Sequence, residues 1–246
     1  KEFLDYKANK YESIDFIDDD PIKIPHQFSK KEDIEISAFL VASIAWGNRL
    51  SILNSATKMM NMMEGSPFDF ITNHSKKDLK VFEGFAHRTF NETDLNFFVR
   101  SLKNIYKNHQ GLENVFNSNK SSLQEAIHDF KSIFFEIDYP PRTAKHVSDP
   151  LKGSAAKRLN MFLRWMVRPN TRGVDFGIWK DHSPAQLSIP LDVHTGNIAR
   201  KLNMIKRKQN DAKTLKELDK KLREFDSIDP VKYDYALFGL GVFEKF

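Results

Sequence analysis

Lys157 and Asp192 are the two side chains whose type and setting fit covalent chemistry. Lys157 lies in GSAAKRLNMFLRWMVR (153–168), a glycine turn leading into an amphipathic helix. Such a turn exposes backbone N–H groups at the start of the following helix, which suits a phosphate. A lysine there stands beside whatever the turn grips. To act as a nucleophile it must lose a proton from a reference pKa of about 10.4, through desolvation or a neighbouring cation such as Arg158. The alternative is a solvent-facing helix lysine. Asp192, in IPLDVHTGNIARKL, stands where a helix N-cap belongs, after Pro190. A helix start also holds a carboxylate ionised. An anion so fixed suits stabilisation of a cation forming at a sugar carbon, as N-glycosidic bond cleavage requires. Capping and catalysis are compatible. His194 has no second histidine at ligand spacing and reads as a polar helix residue rather than a metal ligand or base.

The elements that must position these groups read as helices. In the 153–168 segment Ala155, Leu159, Phe162 and Met166 fall within about 60° of one another, with Lys157, Arg164 and Arg168 on the opposite side. DIEISAFLVASIAWG (33–47) puts Ile36, Phe39, Leu40 and Ser43 on one stripe, and RLSILNSATKMMNMM (49–63) repeats the pattern. SPFDFITN and NETDLNFFVRSLKNIYKN open on Ser or Asn/Thr caps, and SSLQEAIHDFKSIFFEI (121–137) on Ser121 or Ser122. LKELDKKLREF reads as a solvated charged helix and DPVKYDYALFGLG (229–241) as a more buried one. No alternation with a hairpin signal stands out, so the fold class is all-α. The loop 169–190 carries Phe176, Ile178 and Trp179 among its prolines and glycines, which suits a packed loop better than a tether.

Composition narrows the partner. With no cysteine there are no disulfides, no cysteine-ligated zinc and no cysteine-held iron–sulfur cluster, which fits the cytoplasm. No apolar run reaches 18 residues, so no membrane span is expected. The net charge of +5 is modest, but the cations cluster. Lys152, Lys157, Arg158, Arg164, Arg168 and Arg172 form one run without an acid. Arg200, Lys201, Lys206, Arg207 and Lys208 form another, while Asp15, Asp18, Asp19 and Asp20 make the N-terminal end acidic. Clustering of this kind suits a polyanion.

Four segments, in this order, resemble the helix-hairpin-helix superfamily of base-excision DNA glycosylases. EISAFLVASIAWGNRLSILNSATKMM is similar to the early helix pair of endonuclease III-like enzymes. LKGSAAKRLNMFL resembles the hairpin and the start of its second helix, with Gly153-Ser154-Ala155-Ala156-Lys157 where the family has Gly-x-Gly-x-Lys. IPLDVHTGNIARKL resembles the helix start that holds the catalytic aspartate, and YDYALFGLG the closing helix. The likeness covers most of residues 33–241. The interval from Lys157 to Asp192 is similar to that of archaeal 8-oxoguanine DNA glycosylases, whose last helix contacts the flipped base through Asp-x-x-x-Trp. Here the matching residues are Asp234 and Phe238. Ala155 stands in place of the second hairpin glycine. The segment KRLNMFLRWMVR is also similar to a bacterial family of unassigned function.

The resemblance implies two helical lobes with a cleft between them: residues 30–168 as a helical barrel ending in the hairpin, and 1–29 plus 169–246 as the lobe carrying Asp192. It implies a monomer that binds duplex DNA with a damaged base and uses no metal or organic cofactor. DNA phosphates would meet Gly153, Ser154, Arg158, Arg164, Arg168 and Arg200, and Asn48 and Arg49 would fill the space of the extruded base. Lys157 would be the nucleophile and Asp192 its partner, with Asp234, Phe238 and Trp179 around the base. The implied activity is a glycosylase with abasic-site lyase activity on an oxidised purine. Two other readings stay open: a non-catalytic DNA-binding helix-hairpin-helix protein, and a helical interaction scaffold.

Overall fold

Apolar residues at helical spacing form helices throughout a computed structural model that describes residues 1–116 and 122–246. In chain order these are α1 (Glu2–Tyr11), α2 (Lys31–Ser43), α3 (Arg49–Met62), α4 (Pro67–Asn73), α5 (Glu92–Asn108) and α6 (Leu112–Val115). They continue as α7 (Leu123–Phe134), α8 (Lys157–Val167), α9 (Val193–Lys201), α10 (Ala212–Phe225) and α11 (Tyr233–Val242). Short 3₁₀ turns link them. Among the described residues the only sheet is the antiparallel pair β1 (Ala86–His87) and β2 (Phe90–Asn91), too short to have an alternation signal. The fold is all-α. No described helix is long and apolar enough to cross a membrane.

Five of the eleven described α-helices start on a side-chain cap, namely α3, α5, α7, α9 and α10. Asn48 caps α3 by accepting from Ser51 N–H at 3.1 Å. Asn91 and Asp94 form a reciprocal capping box on α5. Ser122 Oγ accepts from Gln124 N–H at 3.1 Å ahead of α7, while Ser121 lies outside the described residues. Ser66 makes no side-chain cap on α4; instead Asp33, from the first turn of α2, accepts from Phe68 N–H at 2.8 Å. A side chain distant in sequence thus satisfies an orphan donor that the local serine leaves open.

The chain forms two compact units, and their boundaries correct the expected 30–168 division. One comprises residues 19–117 and 129–147, the other 1–18, 118–128 and 148–246. The hairpin and α8 therefore belong with the C-terminal helices, because α8 carries arginines whose partners lie there (below). In the 19–147 unit Phe39 of α2 meets Phe98, Phe130 and Phe134 at 5.4–5.8 Å between ring centroids. Asp94, fully buried, accepts from Thr143 Oγ1 at 2.7 Å and pairs with Arg142 at 2.9 Å, tying the 141–146 turn to α5. In the other unit α11 runs between α1 and α9. A Cβ on Gly239 would lie 2.1 Å from the Tyr11 ring, and one on Gly241 would lie 3.2 Å from His194 Cβ, so both glycines permit close helix approach. Neither α1 nor this use of glycine is expected from the pattern.

Candidate active site

The hairpin before Lys157 is built by local hydrogen bonds. Asp149 accepts from Leu151 N–H at 3.1 Å and opens the Pro150–Lys152 turn. Gly153 then takes the left-handed conformation with φ 93°. A Cβ there would meet nothing within 4 Å, so the backbone angle and not crowding explains the glycine. Ser154 Oγ accepts from Ala156 N–H at 3.1 Å. Ala156 itself sits at φ 44° as the N-cap of α8 and supplies no side-chain acceptor to the helix start. The left-handed step falls here at Ala156, one residue after the position of the missing second glycine. Lys157, half-buried, opens the first turn of α8. Arg158 beside it is half-buried, and burial pushes its guanidinium down to about 10.

Asp192 is the N-cap of α9, as its sequence position indicates. Its Oδ1 accepts from Thr195 N–H at 2.8 Å. The buried Thr195 hydroxyl has no hydrogen-bond partner among the described residues. Asn210 Nδ2 donates to the Asp192 carbonyl at 2.8 Å, and Arg200 Nη2 donates to Asn210 Oδ1 at 2.5 Å. A Cβ on Gly196 would lie 2.6 Å from Asn210 Oδ1, so a glycine in α9 is what lets Asn210 reach this place.

One segment, 210–212, joins the two helix starts. Asn210 holds the Asp192 turn. Ala212 N–H donates to the Gly153 carbonyl at 3.0 Å, and Ser154 and Asp211 form an isolated antiparallel bridge. The convergence reaches the side chains at Asp234 of α11, where the charges of both Asp192 and Lys157 act. Burial pushes the Asp234 carboxyl up to about 6; Arg164 and Lys157 oppose that rise and Asp192 adds to it. Lys157, Asp192 and Asp234 therefore share one electrostatic neighbourhood: an amine, a carboxylate fixed by a helix start, and a buried acid.

Several expected contacts do not hold. Arg164 and Arg168 are 4% and 3% exposed, so neither can meet a phosphate. Arg164 pairs with Asp234 and, at 3.2 Å, with Asp175. Arg168 is held by Glu12 at 2.6 Å and by Asp175 and Asp229 at 2.9 Å. Burial works against the Arg168 charge, but these carboxylates overrule it and raise its pKa. Beyond its first turn α8 is buried on every side, so the apparent row of cations is an interior ion-pair network. Trp179 is likewise 1% exposed and packs edge-on against Phe162 at 5.3 Å, which places it in the core and not against a flipped base. Phe238 is half-buried and meets Phe16 at 5.9 Å. Arg200 gives its donors to the carbonyls of Arg207 at 2.7 Å and Lys208 at 2.8 Å, so it shapes the 203–210 loop instead of facing a phosphate.

In the other unit, Asn48 is exposed and Arg49 half-buried at the start of α3, after Gly47 at φ 102°. Leu50 beside them is 66% exposed. His87 supports this turn, with Nε2 3.2 Å from the Trp46 carbonyl and Nδ1 2.9 Å from Ser55 Oγ.

The sequence pattern does not single out Asn210, Gly196, Glu12, Asp175 or Asp229. Gly196 is the one with a signal, a glycine inside a short polar helix. No group of three His, Asp or Glu side chains suited to a metal occurs among the described residues.

No curated protein and no solved structure matches this chain. A family model matches residues 20–243, a span that holds the hairpin, Lys157, Asp192 and Asp234. The chain belongs to that family, which is described as a protein of unknown function (DUF2400).

Proposed function

We propose that the chain is a DNA glycosylase with abasic-site lyase activity, acting on an oxidised purine such as 8-oxoguanine. The observation that carries this reading is the sharing of one neighbourhood by Lys157 and Asp192, tied through 210–212 and both felt at Asp234. A phosphate-binding hairpin needs neither an amine nor a carboxylate in that relation.

The chemistry follows from those groups. The neutral Lys157 amine attacks C1′ of the extruded nucleotide; the C–N bond forms as the glycosidic bond breaks, and the base leaves with the bonding pair and takes up a proton. Asp192, anchored by Thr195 N–H, stabilises positive charge developing on the sugar. The attached amine loses its protons as the sugar ring opens, giving a Schiff base at C1′. Removal of a C2′ proton then expels the 3′ phosphate by β-elimination, with Asp192 as the nearby base. Asp234, held in place by Arg164, offers a carboxylate oxygen to a base edge. Gly153 and Ser154 present the turn to phosphate.

Sodium borohydride reduces the Schiff base to a stable protein–DNA adduct, so trapping across oxidised, deaminated and abasic duplexes tests the reading. The expected result is an adduct on the abasic duplex and on at least one oxidised-purine duplex. Binding of those duplexes without any adduct contradicts it and leaves a binding protein.

A further inference from the structure

With Arg164 and Arg168 buried and the donors of Arg200 given to its neighbouring loop, other cations of the 1–18/148–246 unit reach solvent. Lys213, Lys216 and Lys220 are all exposed on α10. Their i, i+3, i+7 spacing puts them on one stripe of the helix, covering roughly 10 Å. The opposite face of α10 is buried through Leu215, Leu218 and Leu222. Lys206 and Lys208 are exposed on the loop leading into this helix, and Lys152 is exposed on the hairpin. The hydrogen bond from Ala212 to Gly153 joins the two segments, with Lys213 and Lys152 flanking it in sequence.

The acids of this region are engaged with other groups. Asp211 pairs with Arg207 at 2.6 Å, Glu217 accepts from Lys206 N–H at 2.9 Å, and Glu224 pairs with Lys221 at 2.7 Å. None of the six lysines has an ion pair among the described residues. Like charges at helical spacing repel one another, and a neighbouring row of anions removes that cost. The stripe carries cations at regular intervals, and the apolar face of α10 is already buried within the protein, unlike that of a helix that seats in lipid.

We infer that the stripe of Lys213, Lys216 and Lys220, continued by Lys206, Lys208 and Lys152, is a second interaction surface that grips the phosphate backbone of duplex DNA. The choice of DNA rests on the proposed function; the surface itself rests on placement and charge. It supplies sequence-independent affinity and leaves Lys157 and Asp192 to chemistry.

The test uses fluorescence anisotropy of the full chain with an undamaged labelled duplex over a range of KCl. The wild type is compared with K213Q/K216Q/K220Q and with K76Q/K77Q/K80Q, which removes the same charge from exposed lysines of the other unit. Each neutralised phosphate contact contributes about 0.9 to the slope of log K against log salt. The α10 triple variant is expected to flatten that slope by about 2 to 3 and to weaken binding at 0.1 M salt at least tenfold; the control triple is expected to match wild type. Equal effects of the two triples, no effect of the α10 triple, or absence of duplex binding by the wild type overturns the inference. So does tighter binding to phosphatidylserine vesicles than to duplex. Borohydride trapping on an abasic duplex separates the two claims. The α10 effect without any adduct sinks the catalytic reading alone, and an adduct with an unaffected salt slope sinks the surface alone.

Discussion

The two ends of α8 carry the same kind of side chain and have opposite fates. At its start Lys157 is half-buried in a neighbourhood of separate charges; two and three turns on, Arg164 and Arg168 are held among four carboxylates. A helical wheel cannot tell these apart, because it reports which residues share a side and not which side meets water. Two of the three compensating acids of Arg168 lie far along the chain, Glu12 at a separation of 156 residues and Asp229 at 61. A buried charge with several partners is an architectural commitment; under the proposed function, a half-buried amine near a helix-capping carboxylate is a reactive one.

The comparison breaks first at Arg168. Replacing it with methionine leaves Glu12 and Asp229 without their cation and Asp175 with Arg164 alone, so a loss of about 3–5 kcal/mol is expected. A shift of the urea midpoint reads it, and Arg164→Met is expected to behave in the same way. Retained stability with weakened DNA binding would restore these arginines to a surface role.

Asp219 sharpens the contrast, being a buried acid with little cationic support. Burial pushes it up to about 6, Ser188 and Ile189 N–H offset this in part, and Arg223 stands 3.7 Å away. A carboxyl whose folded pKa exceeds its unfolded value near 3.8 binds protons more tightly when folded. Its contribution to stability is therefore full below about pH 4 and is lost as pH rises towards 6, by about 2–3 kcal/mol. Asp219→Asn keeps the acceptor and removes that loss. Denaturation at pH 4 and pH 7 should show a smaller drop for the variant than for wild type; parallel drops contradict the assignment.

Asp192 separates capping from chemistry. Asp192→Ala is expected to cost about 1 kcal/mol, and Asp192→Asn, which still accepts from Thr195 N–H, only a few tenths. Both are expected to lower borohydride trapping by at least tenfold. Full trapping by the asparagine variant would reduce Asp192 to a cap.

Much of the fold was legible because helix periodicity and capping are local. Ala155, Leu159, Phe162 and Met166 are all buried as their spacing indicates, and Asp192 caps its helix. The loop 169–190 is packed through Val174, Asp175, Trp179 and Leu187, in keeping with its aromatic content. What stayed hidden was non-local. The partners of Arg164 and Arg168, the Asn210 clamp on the Asp192 turn, and Asp33 serving as the acceptor for α4 all depend on which segments meet in space. For the same reason Lys213, Lys216 and Lys220 look like an ordinary solvated helix face until the buried arginines remove their competitors.

Identification of the adduct residue by mass spectrometry tests the central claim most directly, after borohydride reduction on an abasic duplex with wild type and Lys157→Gln. The account predicts a single modified peptide bearing the sugar on Lys157, and no adduct from the glutamine variant, whose stability stays within about 0.5 kcal/mol of wild type. An adduct on another amine, or undiminished trapping by a folded Lys157→Gln, would contradict it.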